Sequence, residues 1–371
     1  LGWATNMGGG TPITTTVPDR VPRPWGRPVR LAATGVLAGL AVLTGGSGAE
    51  RAKIFQRDPV EAALARPLQP GAMALAALAL QAEGREAASG LVIRAAAMQG
   101  WRDPLAQSWA VQQALVSGHP NIAAERMEAL LRAAPESALA APVLASVTAD
   151  GDARRALAKR MTIGEPWSDA VLPMLAEQGS PGLVPLAREA RRSGYLPARA
   201  GLVDAVGRAA QRDPALGQDL LAALAGPRDL ARTGLWDAAF AAVKLPRDQV
   251  TPFEWARMPA AGVALSSAKG RLNVKRTAHT PAHVAAITAV VAPGRYRLTW
   301  HASGNEPLSL HAVCAFPARA LENARIQQHA DEFARTITVP EDCRAVRIRV
   351  FAPSSGPSQS WLSQPSIERI D

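Results

Sequence analysis

The residues able to do chemistry are few, and they gather in the last third of the chain. Five of the six histidines, His279, His283, His301, His311 and His329, and both cysteines, Cys314 and Cys343, fall after residue 250. His279 and His283 have the i, i+4 spacing that a helix would turn into a pair of metal ligands, but Thr280-Pro281 between them opposes that helix. No metal site and no cofactor are therefore expected. His301 and His311 read as residues of solvent faces or of the space between sheets. Asp331-Glu332 and Glu341-Asp342 read as loop acids flanking strands, whereas a glycosidase needs two carboxylates facing each other across a cleft. No set of nucleophile, base and orienting group can be assembled from the sequence, so no catalytic residue is assigned. The sixth histidine, His119, sits in the turn-forming stretch SGHPN, which explains it without catalysis. Trp255, Phe351 and Trp361 are the candidate ligand-binding residues, because alternation leaves these aromatics without an assured place in a core; burial is the competing expectation for each.

The elements that must carry these residues alternate with period two. In GRYRLTWHA, Tyr296, Leu298 and Trp300 point one way and Arg295, Arg297 and Thr299 the other; in CRAVRIRVFA, Val346, Ile348 and Val350 alternate with Arg347 and Arg349. Further strands are expected in GVALSSA, RLNVKR, HVAAITAVV, LSLHAVCAF, EFARTITV and SWLSQPSIERI. Eight or so strands in residues 251–371, joined by Pro and Gly turns, point to an antiparallel β-sandwich of jelly-roll type. Their cadence is similar to that of carbohydrate-binding sandwiches of envelope and secreted proteins.

Ahead of them, residues 50–250 have period 3.6, with Ala, Leu, Gln, Glu and Arg dominating and almost no β-branched runs. Breaks recur at Gly84, Trp101–Pro104, Gly118–Pro120, Pro135, Gly151, Pro166, Gly179–Pro181, Gly194–Pro197, Asp213-Pro214 and Gly226-Pro227. Helices of about 10 to 16 residues in hairpins are expected. In PLAQSWAVQQALVSGHPNIAAERMEALLRAAPES, residues 104–137, one apolar stripe runs through Ala123, Met127, Leu130, Leu131 and Ala134, and a lone hairpin could not bury it. Trp101, Trp109, Trp167 and Trp236 are expected as wedges between helices.

That hairpin resembles a tetratricopeptide repeat, and residues 71–104 look like a looser copy. The resemblance implies an α-solenoid whose concave face binds a protein partner. Helices that merely support the next domain are the alternative.

The N-terminus gives an address. Arg20, Arg23, Arg27 and Arg30 precede an apolar run from Leu31 to Leu43, and Glu50 is the next acidic residue. Residues 1–30 are expected to be a disordered basic cytoplasmic segment and residues 31–49 a signal peptide or a single-pass membrane anchor; either exports the chain beyond residue 50 to the periplasm. In that oxidising compartment Cys314 and Cys343 are most simply a disulfide, two buried thiols being the alternative.

The formal charge of +10 is thin and dispersed: residues 50–250 carry 23 basic against 21 acidic residues, and residues 251–371 carry 14 against 9. Nucleic-acid binding needs its charges on one face, and no such cluster or motif is legible, so no nucleic-acid partner is expected. The whole layout resembles tetratricopeptide-like envelope proteins, with a C-terminal β-sandwich, of exopolysaccharide-producing bacteria. With no catalytic set legible and the repeats as the larger domain, the expectation is a non-enzymatic periplasmic scaffold tied to exopolysaccharide synthesis or export, with a protein partner on its helices, polysaccharide or a second partner on the sandwich, and the inner membrane as partner of the N-terminal segment. A glycan-active enzyme and a purely structural envelope protein are the alternatives.

Overall fold

A computed structural model describes residue 60 and residues 71–226, 230–277, 279–304, 306–353 and 356–370. The expected basic segment 1–30 and apolar segment 31–49 lie outside these. Among the described residues, no helix is long and apolar enough to cross a membrane.

The helices are α1 (Ala72–Ala82), α2 (Glu86–Gln99), α3 (Pro104–Val116), α4 (Pro120–Ala133), α5 (Ala140–Ala149), α6 (Gly151–Arg160), α7 (Pro166–Gln178), α8 (Leu183–Arg192), α9 (Arg199–Arg212), α10 (Pro214–Ala225) and the single turn α11 (Leu230–Thr233). Five of these, α3, α4, α6, α7 and α10, begin where an aspartate or a proline satisfies or removes the first unpaired amides. Asp103 Oδ1 accepts from the Leu105 and Ala106 amides at 2.9 and 3.2 Å, and Asp150 and Asp213 cap α6 and α10 in the same way. Gly179 ends α7 in the left-handed region, φ 63°, which a side chain would resist. The expected breaks fall at these ends. One proline does not: Pro173 lies inside α7.

After the α1–α2 hairpin the helices pack in two rows. α3, α5, α7 and α9 follow one another, as do α4, α6, α8 and α10. The stripe of α4 enters the core between the rows, with Ala123, Met127, Leu130 and Leu131 buried, while Ala134 falls just beyond the helix and is half-buried. Trp167 and Trp236 are buried wedges as expected, but Trp101 is 45% exposed with the Arg126 guanidinium 4.5 Å from its ring centre.

Residues 256–369 form two antiparallel sheets. The strands are β1 (Ala256–Arg257), β2 (Val263–Ala268), β3 (Arg271–Arg276), β4 (Ala282–Ala289), β5 (Gly294–Gly304), β6 (Ser309–Ala315), β7 (Ala318–Ala320), β8 (Glu322–Asn323), β9 (Gln327–His329), β10 (Glu332–Val339), β11 (Val346–Ala352) and β12 (Ser358–Arg369). One sheet has the order β1-β4-β11-β6-β7; the other runs β2-β3-β12-β5-β10-β8, with β9 also on β10. Their inner faces share a core that includes Leu298, Trp300, Leu362, Leu310, Ile348 and Val350. Trp300 donates its indole N–H to the Leu308 carbonyl at 3.0 Å, so this large ring is buried without an orphaned donor. Cys314 and Cys343 are joined, with Cα atoms 5.8 Å apart, and both are buried.

The stretch between helices and strands, around the expected boundary at residue 250, feeds both cores. Trp236 and Phe253 pack among the helices, and Leu235, Phe240, Val243 and Trp255 pack in the sandwich. Arg199 of α9 reaches across to Glu254 at 2.5 Å and to the Gln249 carbonyl at 2.7 Å, and Glu254 also accepts from the Thr251 amide and hydroxyl at 3.0 and 2.9 Å.

Candidate functional site

Trp255, one of the three aromatic candidates, is not at any surface. Its ring is 0% exposed and lies 4.9 Å from Phe240 in the sandwich core. The expectation of a ligand contact is corrected here: the segment that delivers Trp255 crosses between two cores and buries its aromatics on both sides.

Trp361 lies on the outer face of the seven-stranded sheet, partly buried, beside Asn273 of β3 and Ser303 of β5. The Arg271 guanidinium stands 4.4 Å from its ring centre and occupies the ring face. A ligand would have to displace that cation.

Phe351 is differently placed. On β11, Val346, Ile348 and Val350 turn into the core, so Arg347, Arg349 and Phe351 project from the outer face of the five-stranded sheet. Register with the neighbouring strands sets three rows on that face. Phe351 lies between His283 of β4 and Ser309 of β6; Arg349 lies between Ala286 and His311; Arg347 lies between Thr288 and Val313. A bulge at Val350/Phe351 sets His283 opposite Phe351. The His311 ring is 4.9 Å from that of Phe351, the His283 ring is 5.4 Å from it, and the two imidazoles meet edge-on at 5.8 Å. All three are half-buried.

The electrostatics of this cluster follow from its packing. Burial, then the charge of Arg335, then His283, push the His311 imidazole down to about 4. Burial and then Arg349 lower that of His283. Both rings are neutral at pH 7. His311 Nε2 lies 3.1 Å from the Ser309 hydroxyl, and Arg335 of β10 donates to the Leu310 carbonyl at 3.1 Å, closing the flank of the sandwich next to His311. His283 Nδ1 and the Arg349 Nε are buried and carry no hydrogen-bond partner among the described residues.

The other polar groups singled out in the sequence lie apart. Asp331, in the turn before β10, faces His301 of β5 at 3.8 Å, whereas Asp342 pairs with Arg319 of β7 in the other sheet. Among the described residues no three His, Cys, Asp or Glu side chains gather as a metal site. A shallow cleft of about 860 Å³ lies beside β1 and β2, lined by residues that include Lys244, Pro246, Arg247, Arg257, Ala260 and Leu265. Sequence alternation exposed Arg347 and Arg349. It could not bring His283 and His311 to Phe351, because β4, β11 and β6 are neighbours in space and not in sequence.

No family model matches the chain, and no curated protein matches it. Among solved structures, one from Bacteroides thetaiotaomicron, described as a sugar binding protein, aligns at 10% identity and a TM-score of 0.27, over 38% of this chain and 100% of that one. TmCBM61, in complex with beta-1,4-galactotriose, aligns at 11% identity and a TM-score of 0.23, over 38% of this chain and 99% of that one. Likeness at this level carries no argument about ligand, so a function must be sought in the geometry of the sheet face itself.

Proposed function

We propose that the protein is a non-enzymatic scaffold of the bacterial envelope, whose sandwich binds glycan on the outer face of the five-stranded sheet. The observation that carries this reading is the cluster of Phe351, His283 and His311. A sugar ring offers a C–H face that packs on an aromatic ring, and hydroxyls around its rim that need polar partners. The cluster supplies both, with Phe351 as the platform and Ser309, Arg349 and two neutral imidazoles as donors and acceptors beside it. Two of the loop acids support binding more than cleavage, since Asp331 and Asp342 each face a basic partner and lie beside different sheets.

In the same reading the helices form a tetratricopeptide-like solenoid that holds a protein partner. The two rows α3-α5-α7-α9 and α4-α6-α8-α10 support it, because successive hairpins pack on one another along both rows. The N-terminal segment, as signal or anchor, places both parts in the periplasm, where the scaffold serves synthesis or export of exopolysaccharide, and the sandwich has jelly-roll connectivity.

The test is to incubate the full chain with envelope polysaccharides and follow both sedimentation and polymer length. Co-sedimentation with unchanged length is expected. Shortening of the polymer would overturn the scaffold reading in favour of an enzyme, and absence of co-sedimentation with any glycan would overturn glycan binding.

A further inference from the structure

The five-stranded face carries more than an aromatic platform. Arg347 and Arg349 are two residues apart on one strand and project from the same face, with their Cα atoms about 7 Å apart along the strand. Neither has an ion pair or hydrogen bond to any described residue. Arg349 is half-buried with its Nε buried, and its guanidinium is hydrogen-bonded to no described residue, which leaves it available to a carboxylate. Arg247, from the short turn Arg247–Gln249, stands close enough to act on Arg347: burial, Arg349 and Arg247, in that order, ease the Arg347 proton off. Asp248, next to Arg247, is exposed and pairs with none of the three.

The cationic character continues past Arg247. That residue also lines the cleft beside β1 and β2, whose lining includes Lys244 and Arg257 and no acidic residue. Several arginines of the helices are matched by acids, Arg132 and Arg160 by Glu128, Arg154 by Glu189, Arg208 by Asp204 and Glu177, and Arg199 by Glu254. Arg347 and Arg349 differ from these in sharing one strand beside an aromatic ring with no acid paired to either, and like charges held together repel unless an anion joins them.

The geometry points to a carboxylate-bearing polysaccharide as the ligand of this face, with Arg347 and Arg349 binding its acid groups and Phe351 packing on the sugar ring. This inference rests on the glycan reading and names its ligand class. Nucleic acid fits less well. Two arginines on one strand and a third in the Arg247–Gln249 turn neutralise about three phosphates, too few to hold a strand at physiological salt.

The experiment measures affinity of the full chain for polygalacturonate, for the same polymer after carboxyl reduction, for dextran sulfate and for single-stranded DNA. Polygalacturonate is expected to bind about tenfold more tightly than its reduced form, and the double variant R347Q/R349Q to erase that difference. R347K/R349K, which keeps charge but loses the fork, is expected to fall between the two. Equal binding of acidic and reduced polymer, or discrimination that survives in R347Q/R349Q, would overturn the inference and leave glycan binding intact. Dextran sulfate or DNA binding as tightly as polygalacturonate would also overturn it, showing a charge field without ligand recognition. Failure to bind either galactan polymer while every other glycan also fails would overturn the glycan reading itself.

Discussion

In the proposed reading, Phe351 and its neighbours are the part of the sandwich that meets glycan. Truncating this ring removes the platform without opening the core, because the core side of β11 is filled by Val346, Ile348 and Val350. Phe351→Ala is therefore expected to weaken glycan binding by about tenfold with little change in thermal stability, whereas Trp361→Ala, under its Arg271 cover, leaves binding unchanged; titration of the two variants with one polysaccharide checks both. A second outcome concerns protons. His311 titrates near 4 in the fold against 6.5 when unperturbed, with Arg335, His283, Arg349 and the Ser309 hydroxyl as the groups around it. Between those pH values the unfolded chain binds a proton that the fold refuses, so stability falls as pH drops from about 6.5 to about 4 and levels off below. Replacing His311 by Gln should flatten that part of a denaturation-versus-pH curve, and a ring resonance titrating near 6.5 in the native protein would contradict the burial argument. Half of this site was legible in the sequence. Alternation marks Arg347 and Arg349 as outward, and Phe351 as lacking a core place, since period two is a local property of one strand. The imidazoles were not, because their approach depends on the pairing of three strands distant in sequence and on a bulge that moves His283 into line.

At the level of elements, the joint between helices and strands is the least legible part and the most consequential. Residues 234–257 have neither helical nor strand period, since their large side chains are shared between two cores; this is why Trp255 reads as a surface candidate and is in fact buried. Helix ends were legible in detail, because Asp103-Pro104, Asp150 and Asp213-Pro214 are local capping signals needing no tertiary partner. Pro173 shows the limit of such punctuation, for packing keeps α7 continuous through it. Two variants probe the joint. Arg199→Ala leaves Glu254 buried with a charge and fewer partners, and is expected to cost about 1.5 to 3 kcal/mol in denaturant unfolding. Gly234 has φ 68°, and an added Cβ would collide with the Ile367 carbonyl, so Gly234→Ala should destabilise by displacing the end of β12 from the linker. Within the sandwich, the Cys314–Cys343 bridge closes a 29-residue separation, and reducing it is expected to cost about 3 to 4 kcal/mol by loop-closure entropy. Unchanged stability in reductant would show that the bridge does not hold the sheet.

Across the whole molecule, the described residues fall within one compact unit, in which the helices and the sandwich share side chains through the linker. The class of architecture, helices followed by antiparallel sheets, follows from the change of period near residue 250, which survives any local ambiguity. What period cannot give is the ligand, because a ligand is recognised by the few groups that strand order assembles on one face. The central claim is that this face is the outer side of the five-stranded sheet, and it is tested most directly by mapping amide shifts in the full chain as a galacturonate oligosaccharide is added. The account predicts perturbations centred on Phe351, Arg349, Arg347, His283 and His311, with the oligosaccharide recovered at its original length. Shifts confined to the Trp361 face or to the helices, or an oligosaccharide recovered in fragments, would contradict it.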